Sequence, residues 1–209
     1  MTVPAMPPPA AVRVRIFVDF WNFTLAVNSL NPKPLIDWAK LGPVLTAEAG
    51  ALVDLTRPAS YEGLEVYGSF DPHKPADARL RGWFTNTLDR MPGVNVVLLE
   101  RQRKRGYPRC PNCQAETRVC HACGSDMRGT EEKGVDTRIV TDMIRLAWAA
   151  SYDVAVLVSA DRDFVPVADF LQSKGIKVIH GAFPPTGNHL SQKCWANIPI
   201  PALIDRIKR

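Results

Sequence analysis

Four aspartates in this sequence have the type and placement needed to bind a divalent cation. Asp19 ends the apolar segment IFVD, Asp161 and Asp163 follow the apolar segment VLVS, and Asp136 lies near the start of a predicted helix. Crowded carboxylates repel one another unless a cation neutralises them, and Mg²⁺ and Mn²⁺ prefer oxygen ligands. Such a metal can activate water and stabilise charge on a phosphate during an in-line displacement. The aspartates therefore predict a metal site for phosphodiester chemistry.

Each aspartate also has a purely structural interpretation. Asp19 could be a turn residue, and Asp136 could favour the positive end of a helix dipole. Asp161 and Asp163 could cap the helix that follows them. Taken singly, these explanations are as good as a metal site. Taken together, three separate segments that place acids at predicted strand ends or helix starts favour the metal.

Four of the five cysteines have the spacing of a second kind of metal site. Cys110-Pro-Asn-Cys113 and Cys120-His-Ala-Cys123 are two C-x2-C pairs separated by six residues. Such pairs can supply four thiolates at the tetrahedral geometry of structural Zn²⁺. With all four positions filled by protein, the zinc is predicted to be structural rather than catalytic. Two disulfides or four free thiols are the alternatives, and a reducing compartment disfavours the disulfides.

A basic run precedes the cysteines and consists of Arg101, Arg103, Lys104 and Arg105. These cations could follow a nucleic-acid backbone with little sequence preference. Tyr107 could stack on an unpaired base. A solvated loop explains the basic run equally well, and ordinary packing is the stronger explanation for Tyr107.

The bulk properties are those of a globular protein and exclude little else. The 209 residues are 46% hydrophobic and 22% charged, with a formal charge of +5 that permits a polyanionic partner. No run approaches the roughly 20 apolar residues of a membrane helix. Residues 1–12 are proline-rich, and Met1–Ala10 lacks the features of a signal peptide, so we expect a flexible leader and a cytoplasmic protein. The sequence is also compatible with a homo-oligomer.

The elements that must position these side chains alternate along the chain. Apolar segments predict strands at 13–19, 64–70, 94–100, 153–159 and 176–180. Helices are predicted at 20–30, 35–52, 75–90, 135–150, 164–174 and 201–209. This alternation predicts an α/β fold, a parallel sheet covered by helices on both faces. Residues 13–209 would form one domain, interrupted at 101–130 by the basic and cysteine insertion, and the working crevice would lie at the carboxyl ends of the strands.

Three segments resemble the motifs of the NYN domain, a branch of the PIN-like nucleases. They are FVDFWN, KGVDTRIVTDM and VLVSADRDFVPVADFLQSKGIKV, and they occur in the order that the family shows. The third, in which a strand ends in Ser-x-Asp-x-Asp-Phe before a helix, is the most specific. The resemblance implies a Rossmann-like (PIN-like) sheet, a nuclease centre that depends on Mg²⁺ or Mn²⁺, and RNA as the commoner substrate. The cysteine insertion is a departure from the simplest members.

The resemblance also assigns roles residue by residue. It implies a metal-binding role for Asp19, Asp136, Asp161 and Asp163. Asn22, in the D-x-x-N arrangement, would orient an acid or contact the substrate. Lys133 would offer a positive charge to a phosphate. Asp142 matches more loosely, because six residues of helix separate its direction from that of Asp136.

The main rival is a nucleic-acid-binding module that keeps the fold and the zinc insertion but does not cleave. The full set of acids argues against it. A protein that only binds polyanions gains nothing by presenting carboxylates to a phosphate.

Overall fold

The computed structural model describes residues 11–209, so most of the predicted leader lies outside the described residues. In chain order the elements are β1 (Val12–Asp19), α1 (Phe20–Asn28), α2 (Trp38–Val53), β2 (Ala59–Phe70), α3 (Pro75–Asn86), β3 (Val94–Glu100), β4 (Gln102–Arg103), β5 (Thr130–Glu131), α4 (Val135–Trp148), β6 (Val154–Val158), α5 (Val165–Ser173), β7 (Lys177–Ala182), α6 (Asn188–Ser191), β8 (Ala196–Pro199) and α7 (Ile204–Ile207). Short 3₁₀ turns precede β3, α5 and α7.

Six of the strands form one parallel sheet in the order β3-β2-β1-β6-β7-β8. The chain builds outward from β1 in one direction and then returns to build outward from β6 in the other. The direction of winding therefore changes between β1 and β6. In open parallel sheets, ligands bind outside the carboxyl ends of the strands at this kind of switch point.

A separate hydrophobic core covers each face of the sheet. Val14, Ile16 and Val18 of β1 point to the face packed by α1, α2 and α3, where Leu41 of α2 is fully buried. Phe17, between them, points to the opposite face, which α4 and α5 cover. Burial on both faces is why β1 is apolar at every position from 16 to 18. The predicted α/β class, with helices on both faces, is confirmed.

The C-terminal region differs from the sequence-based expectation. Strand β8, at one edge of the six-stranded sheet, has no counterpart among the predicted strands because its four residues carry no apolar pattern. The helix predicted at 201–209 is a 3₁₀ turn followed by the four-residue α7. In α2 the helix continues through Pro43, and Gly42 lies so close to the Tyr61 ring that an added Cβ would be 2.7 Å from it.

The predicted insertion projects from the domain between β3 and α4. Its base is the short antiparallel pair of β4 and β5, and both cysteine turns lie between these strands. Residues 101–131 are called the cysteine arm below. None of the described helices combines the length and apolar character required to cross a bilayer.

Candidate active site

The carboxyl ends of β1 and β6 meet at the switch point and are joined by one asparagine. Asp19, the last residue of β1, is only 5% exposed and accepts hydrogen bonds from the backbone N–H (3.1 Å) and the side-chain Nδ2 (3.2 Å) of Asn22. The Oδ1 of Asn22 accepts from the backbone N–H of Ala160 at 3.1 Å. Asn22 therefore fixes Asp19 and the loop after β6 relative to each other.

The loop after β6 carries Asp161 and Asp163, and a series of hydrogen bonds connects it to Asp19. The hydroxyl of Ser159 donates to Oδ2 of Asp19 (3.4 Å) and accepts from the backbone N–H of Asp161 (3.2 Å). Asp161 in turn accepts from the backbone N–H of Asp163 at 2.9 Å. Asp19 and Asp161 thus act as caps for the helical turns that follow them, as the structural interpretation proposed. The same bonds hold the two acids beside each other.

Asp136, in the first turn of α4, faces the acids of β1 and of the loop after β6. The pKa of Asp136 is raised to about 6, first by burial and then by the neighbouring negative charges of Asp19, Asp161, Glu132 and Asp163. Burial also raises the pKa of Asp19, more than its hydrogen bonds lower it. The structure thus brings together all four aspartates that the sequence singled out.

Glu132 is a fifth carboxylate of this group, and the sequence reasoning missed it. It follows β5 directly and accepts a hydrogen bond from the hydroxyl of Ser69, and its Oε2 lies 4.0 Å from a guanidinium nitrogen of Arg101. The only signal in the sequence was its place four residues before Asp136. Its neighbour Glu131 forms a separate salt bridge with Lys133 at 2.8 Å.

Two residues assigned by the motif match lie elsewhere. Asp142 is 3% exposed on α4 and pairs with Arg138 (2.8 Å) and Arg145 (3.1 Å), and the Tyr67 hydroxyl donates to it at 3.2 Å. These contacts tie α4 to β2 and do not bring Asp142 to the acids. Lys133 is held by Glu131 rather than directed at them.

His180 of β7 supports the loop after β6 from behind. Its Nε2 donates to the backbone carbonyl of Ser159 at 2.7 Å, and its Nδ1 accepts from the hydroxyl of Ser191 at 2.8 Å. A carbonyl can only accept, so the proton lies on Nε2. Burial lowers the pKa of His180, which keeps the ring neutral. The ring of His180 therefore fixes Ser159, whose hydroxyl contacts both Asp19 and the backbone of Asp161.

Comparison with known proteins identifies the domain that carries this arrangement. The NYN domain matches residues 13–200 of the chain. The chain belongs to the NYN domain family. This is a family of PIN-like nucleases, and membership supports a nuclease function in general.

The fold of this NYN domain has a counterpart among solved structures. A crystal structure of a protein of unknown function from Vibrio parahaemolyticus RIMD 2210633 is 18% identical, with a TM-score of 0.55, over 93% of this chain and 96% of that chain. At this identity the likeness shows the fold alone. No curated protein matches the chain.

The acidic group of the NYN domain suits a metal that keeps much of its water. Within residues 11–209, no three His, Cys, Asp or Glu side chains are close enough together to enclose an ion. Mg²⁺ in phosphoryl-transfer sites is commonly held by one or two carboxylates, with water and substrate oxygens completing its shell. An open cluster of like charges fits that mode of binding. It does not fit a closed cage.

The cysteine arm contains two turns of the same construction, ten residues apart. Gln114 donates from its backbone to the carbonyl of Cys110 (3.0 Å), and Gly124 does so to Cys120 (2.8 Å). Both donors are in the left-handed region, at φ of 59° and 73°. Within each turn, nearby hydrogen-bond donors and then the neighbouring thiol lower the pKa of one cysteine, Cys110 in the first turn and Cys123 in the second. The two pairs do not come together as a group of three or more in the described residues, and zinc stays a prediction.

The basic residues of the arm divide into paired and unpaired cations. Arg101 lies beside Glu132, and Arg103 pairs with Asp126 at 3.5 Å. Lys104 and Arg105 form no salt bridge within the part of the chain that the structure describes, although both lie near the charge of Glu131.

Tyr107 already has cations over its ring. The guanidinium carbons of Arg118 and Arg128 lie 5.5 and 5.7 Å from the ring centroid. A base that stacked on Tyr107 would therefore have to displace or share these contacts.

Proposed function

We propose that this NYN domain is a metal-dependent nuclease that hydrolyses phosphodiester bonds, with RNA as its main substrate. One observation carries the proposal. Five carboxylates from three separate segments converge at the switch point of the sheet, and they are Asp19, Glu132, Asp136, Asp161 and Asp163. A group of negative charges held this close has a chemical use when a cation neutralises it.

The proposed cofactor is Mg²⁺ or Mn²⁺, held by Asp19, Asp136, Asp161 and Asp163 with Glu132 beside them. When bound, the metal would supply an activated water and stabilise the charge that develops on the phosphate. The protein's own contribution is orientation. Asn22 and Ser159 occupy part of the hydrogen-bonding capacity of Asp19, so its carboxylate cannot rotate freely. Asn22 therefore has the contacts of an orienting residue.

The cysteine arm is proposed to bind the nucleic acid outside the acidic group. Lys104 and Arg105 are the cations best suited to contact phosphates, because no carboxylate pairs with them in the described residues. Zn²⁺ bound by Cys110, Cys113, Cys120 and Cys123 would hold the two turns of the arm together. RNA is favoured over DNA by the family resemblance.

The test is cleavage of end-labelled single-stranded RNA and DNA by the pure protein in Mg²⁺, Mn²⁺ or chelator. We expect cleavage that requires the metal, and we expect Asp161→Asn to reduce its rate by at least about 100-fold, as the loss of one charge-stabilising group does in other enzymes. Asp169→Asn is the matched control. It removes an exposed carboxylate from α5, eight residues away and outside the acidic group.

The binding-module alternative makes the opposite prediction. Folded protein that binds RNA, cuts neither substrate in either metal, and binds equally well after Asp161→Asn would support that module and contradict the nuclease. Cleavage that persisted in chelator would contradict the metal site.

A further inference from the structure

A cavity of about 370 Å³ adjoins the acidic group on the side of α1. It lies between α1 and the loop that follows β7. Asn22 and Ser159, which hold Asp19, also form part of its wall. A molecule in the cavity would therefore touch the residues that position the proposed metal ligand.

The walls of the cavity are apolar and uncharged. They are formed mainly by Phe23, Leu25, Leu30, Phe183, Pro184 and Pro185. No Lys, Arg, Asp or Glu is among the described residues that line it, and His180 at its wall is neutral with both ring nitrogens bonded. A phosphate or an amine would gain no ionic partner here. An uncharged aromatic ring would gain contact with two phenylalanines.

The mouth of the cavity exposes an apolar side chain and presents hydroxyl acceptors. Leu25 is 67% exposed although it stands on the short helix α1, two residues after the buried Phe23. The hydroxyls of Ser29 and Thr186 donate to the backbone carbonyls of Ala26 and Phe183, which leaves their oxygens available as acceptors. Ring contacts with a few polar groups at the edge are the usual features of a site for a flat heterocycle.

We propose that this cavity binds one unpaired nucleobase of the strand whose phosphodiester lies at the acidic group. The inference rests on the proposed function and adds to it that the substrate is single-stranded, or has a base turned out of its stack, at the point of cleavage. A stacked and paired base cannot enter a pocket without leaving the helix. Because apolar and aromatic contacts accept any base, the cavity favours unpaired nucleotides with little preference of sequence.

The experiment uses two independent changes: a substitution in the protein that fills the cavity, and an RNA strand that lacks one base. Ala26→Phe places a ring in the cavity, and Ala47→Phe makes the same change on the exposed side of α2 as a control. Binding and cleavage are measured with a single-stranded RNA 12-mer and with versions in which one nucleotide at a time is abasic. Phe183→Ala provides a second variant that enlarges the cavity instead.

We expect Ala26→Phe to weaken binding of the intact 12-mer about 5- to 150-fold, the effect of losing one stacked base, while Ala47→Phe binds as the unmodified protein does. Among the 12-mers with one abasic nucleotide, one should bind the unmodified protein more weakly than the intact strand by a similar factor. That 12-mer should bind Ala26→Phe as well as the intact strand does. Such non-additivity shows that the two changes remove the same contact.

Equal binding of the intact 12-mer by the Ala26→Phe and unmodified proteins would overturn the inference, and so would additive effects at every abasic position. The two proposals fail in different ways. Absence of metal-dependent cleavage contradicts the nuclease, whereas the binding comparison decides the base pocket whether or not the strand is cut.

Discussion

At the scale of single residues, Glu131 and Glu132 are neighbours with opposite surroundings. Glu131 is half-buried, as Glu132 is, and forms a salt bridge with Lys133. Glu132 accepts from Ser69, lies beside Arg101, and raises the pKa of both Asp19 and Asp136. Because the two glutamates are adjacent and similarly buried but have different partners, they form a natural pair for testing whether Glu132 belongs to the proposed metal centre.

We expect Glu132→Gln to raise the Mg²⁺ or Mn²⁺ concentration that gives half-maximal cleavage and to lower activity about 10- to 100-fold, the range seen when residues around a metal site are replaced. The physical reason is the loss of one negative charge from the field that attracts the cation. A metal titration of the cleavage rate measures it.

Glu131→Gln is the control and should leave the titration unchanged. If the two variants behaved alike, the effect would be one of net charge near the cysteine arm, and Glu132 would not belong to the acidic group.

At the scale of elements, the sheet positions the site through the ends of β1 and β6 and through one residue within β7. Asp19 ends β1, Ser159 follows β6, and His180 of β7 holds the Ser159 carbonyl. Each contact is a single hydrogen bond, but together they join three consecutive strands of the sheet. The loop that carries Asp161 is therefore tied to two neighbouring strands, β1 and β7, as well as to its own strand.

The sequence could indicate these elements, but not all of the contacts between them. Strand β1 could be predicted because it is buried on both faces and apolar, and the acids at strand ends were visible from the same pattern. Glu132 could not, because its partners Ser69 and Arg101 lie 63 and 31 positions away in the chain. His180 ended a predicted strand, but its two hydrogen-bond partners are set by the packing of β7, not by the spacing of residues.

Asp142, the loosely matched residue, is a contrasting case, because its partners are close in the sequence. Asp142 resembles a motif position, yet its two arginine partners stand four residues before and three after it on α4. That spacing is typical of salt bridges along one helix, and it was present in the sequence. Close reading of α4 for such pairs would have separated Asp142 from Asp136.

The cysteine arm is an element whose stability we expect to depend on a metal rather than on a core. Its residues are absent from both hydrophobic cores, and its base contains only the two-residue strands β4 and β5. Replacing Cys110 and Cys113 together with serine should abolish zinc binding and leave the thermal unfolding of the domain nearly unchanged. Because the arm carries Lys104 and Arg105, RNA binding should weaken and become less sensitive to salt.

Metal analysis of the purified variant and RNA binding at several salt concentrations measure both effects. Cys194→Ser is the matched control, since that cysteine lies outside the arm. Stoichiometric zinc in the double variant would contradict the four-cysteine site.

At the scale of the whole molecule, the acidic group lowers the stability of the metal-free fold at neutral pH. In the folded protein the pKa of Asp136 is about 6, above its ordinary value of 3.8. The folded state therefore holds this proton more tightly than the unfolded chain does. The contribution to stability is full below about pH 4 and is lost as the pH rises through about 6. Above that, a charged Asp136 is both buried and faced by the other acids, and it therefore destabilises the metal-free fold.

Asp136→Asn isolates this effect, because asparagine resembles the protonated acid at every pH. In chelator at about pH 5 the variant should exceed the unmodified protein in unfolding temperature by less than at neutral pH, because the folded unmodified protein still keeps most of the Asp136 proton there. At about pH 7.5 the variant should unfold higher by a few degrees, since roughly 1 kcal/mol moves the midpoint of a chain this long by about 2–4 °C. Calorimetry at the two pH values measures the difference.

Added Mg²⁺ or Mn²⁺ should then stabilise the unmodified protein at about pH 7.5 far more than at about pH 5, because the cation replaces the proton as the partner of the carboxylates. Asp136→Asn should respond less to the metal at both pH values. If the metal-free unmodified protein were the more stable of the two at the higher pH, the carboxylates would not repel one another, and the acidic group would not need a cation. A catalytic site of this kind is expected to reduce the stability of the metal-free protein. Binding of the metal would restore that stability.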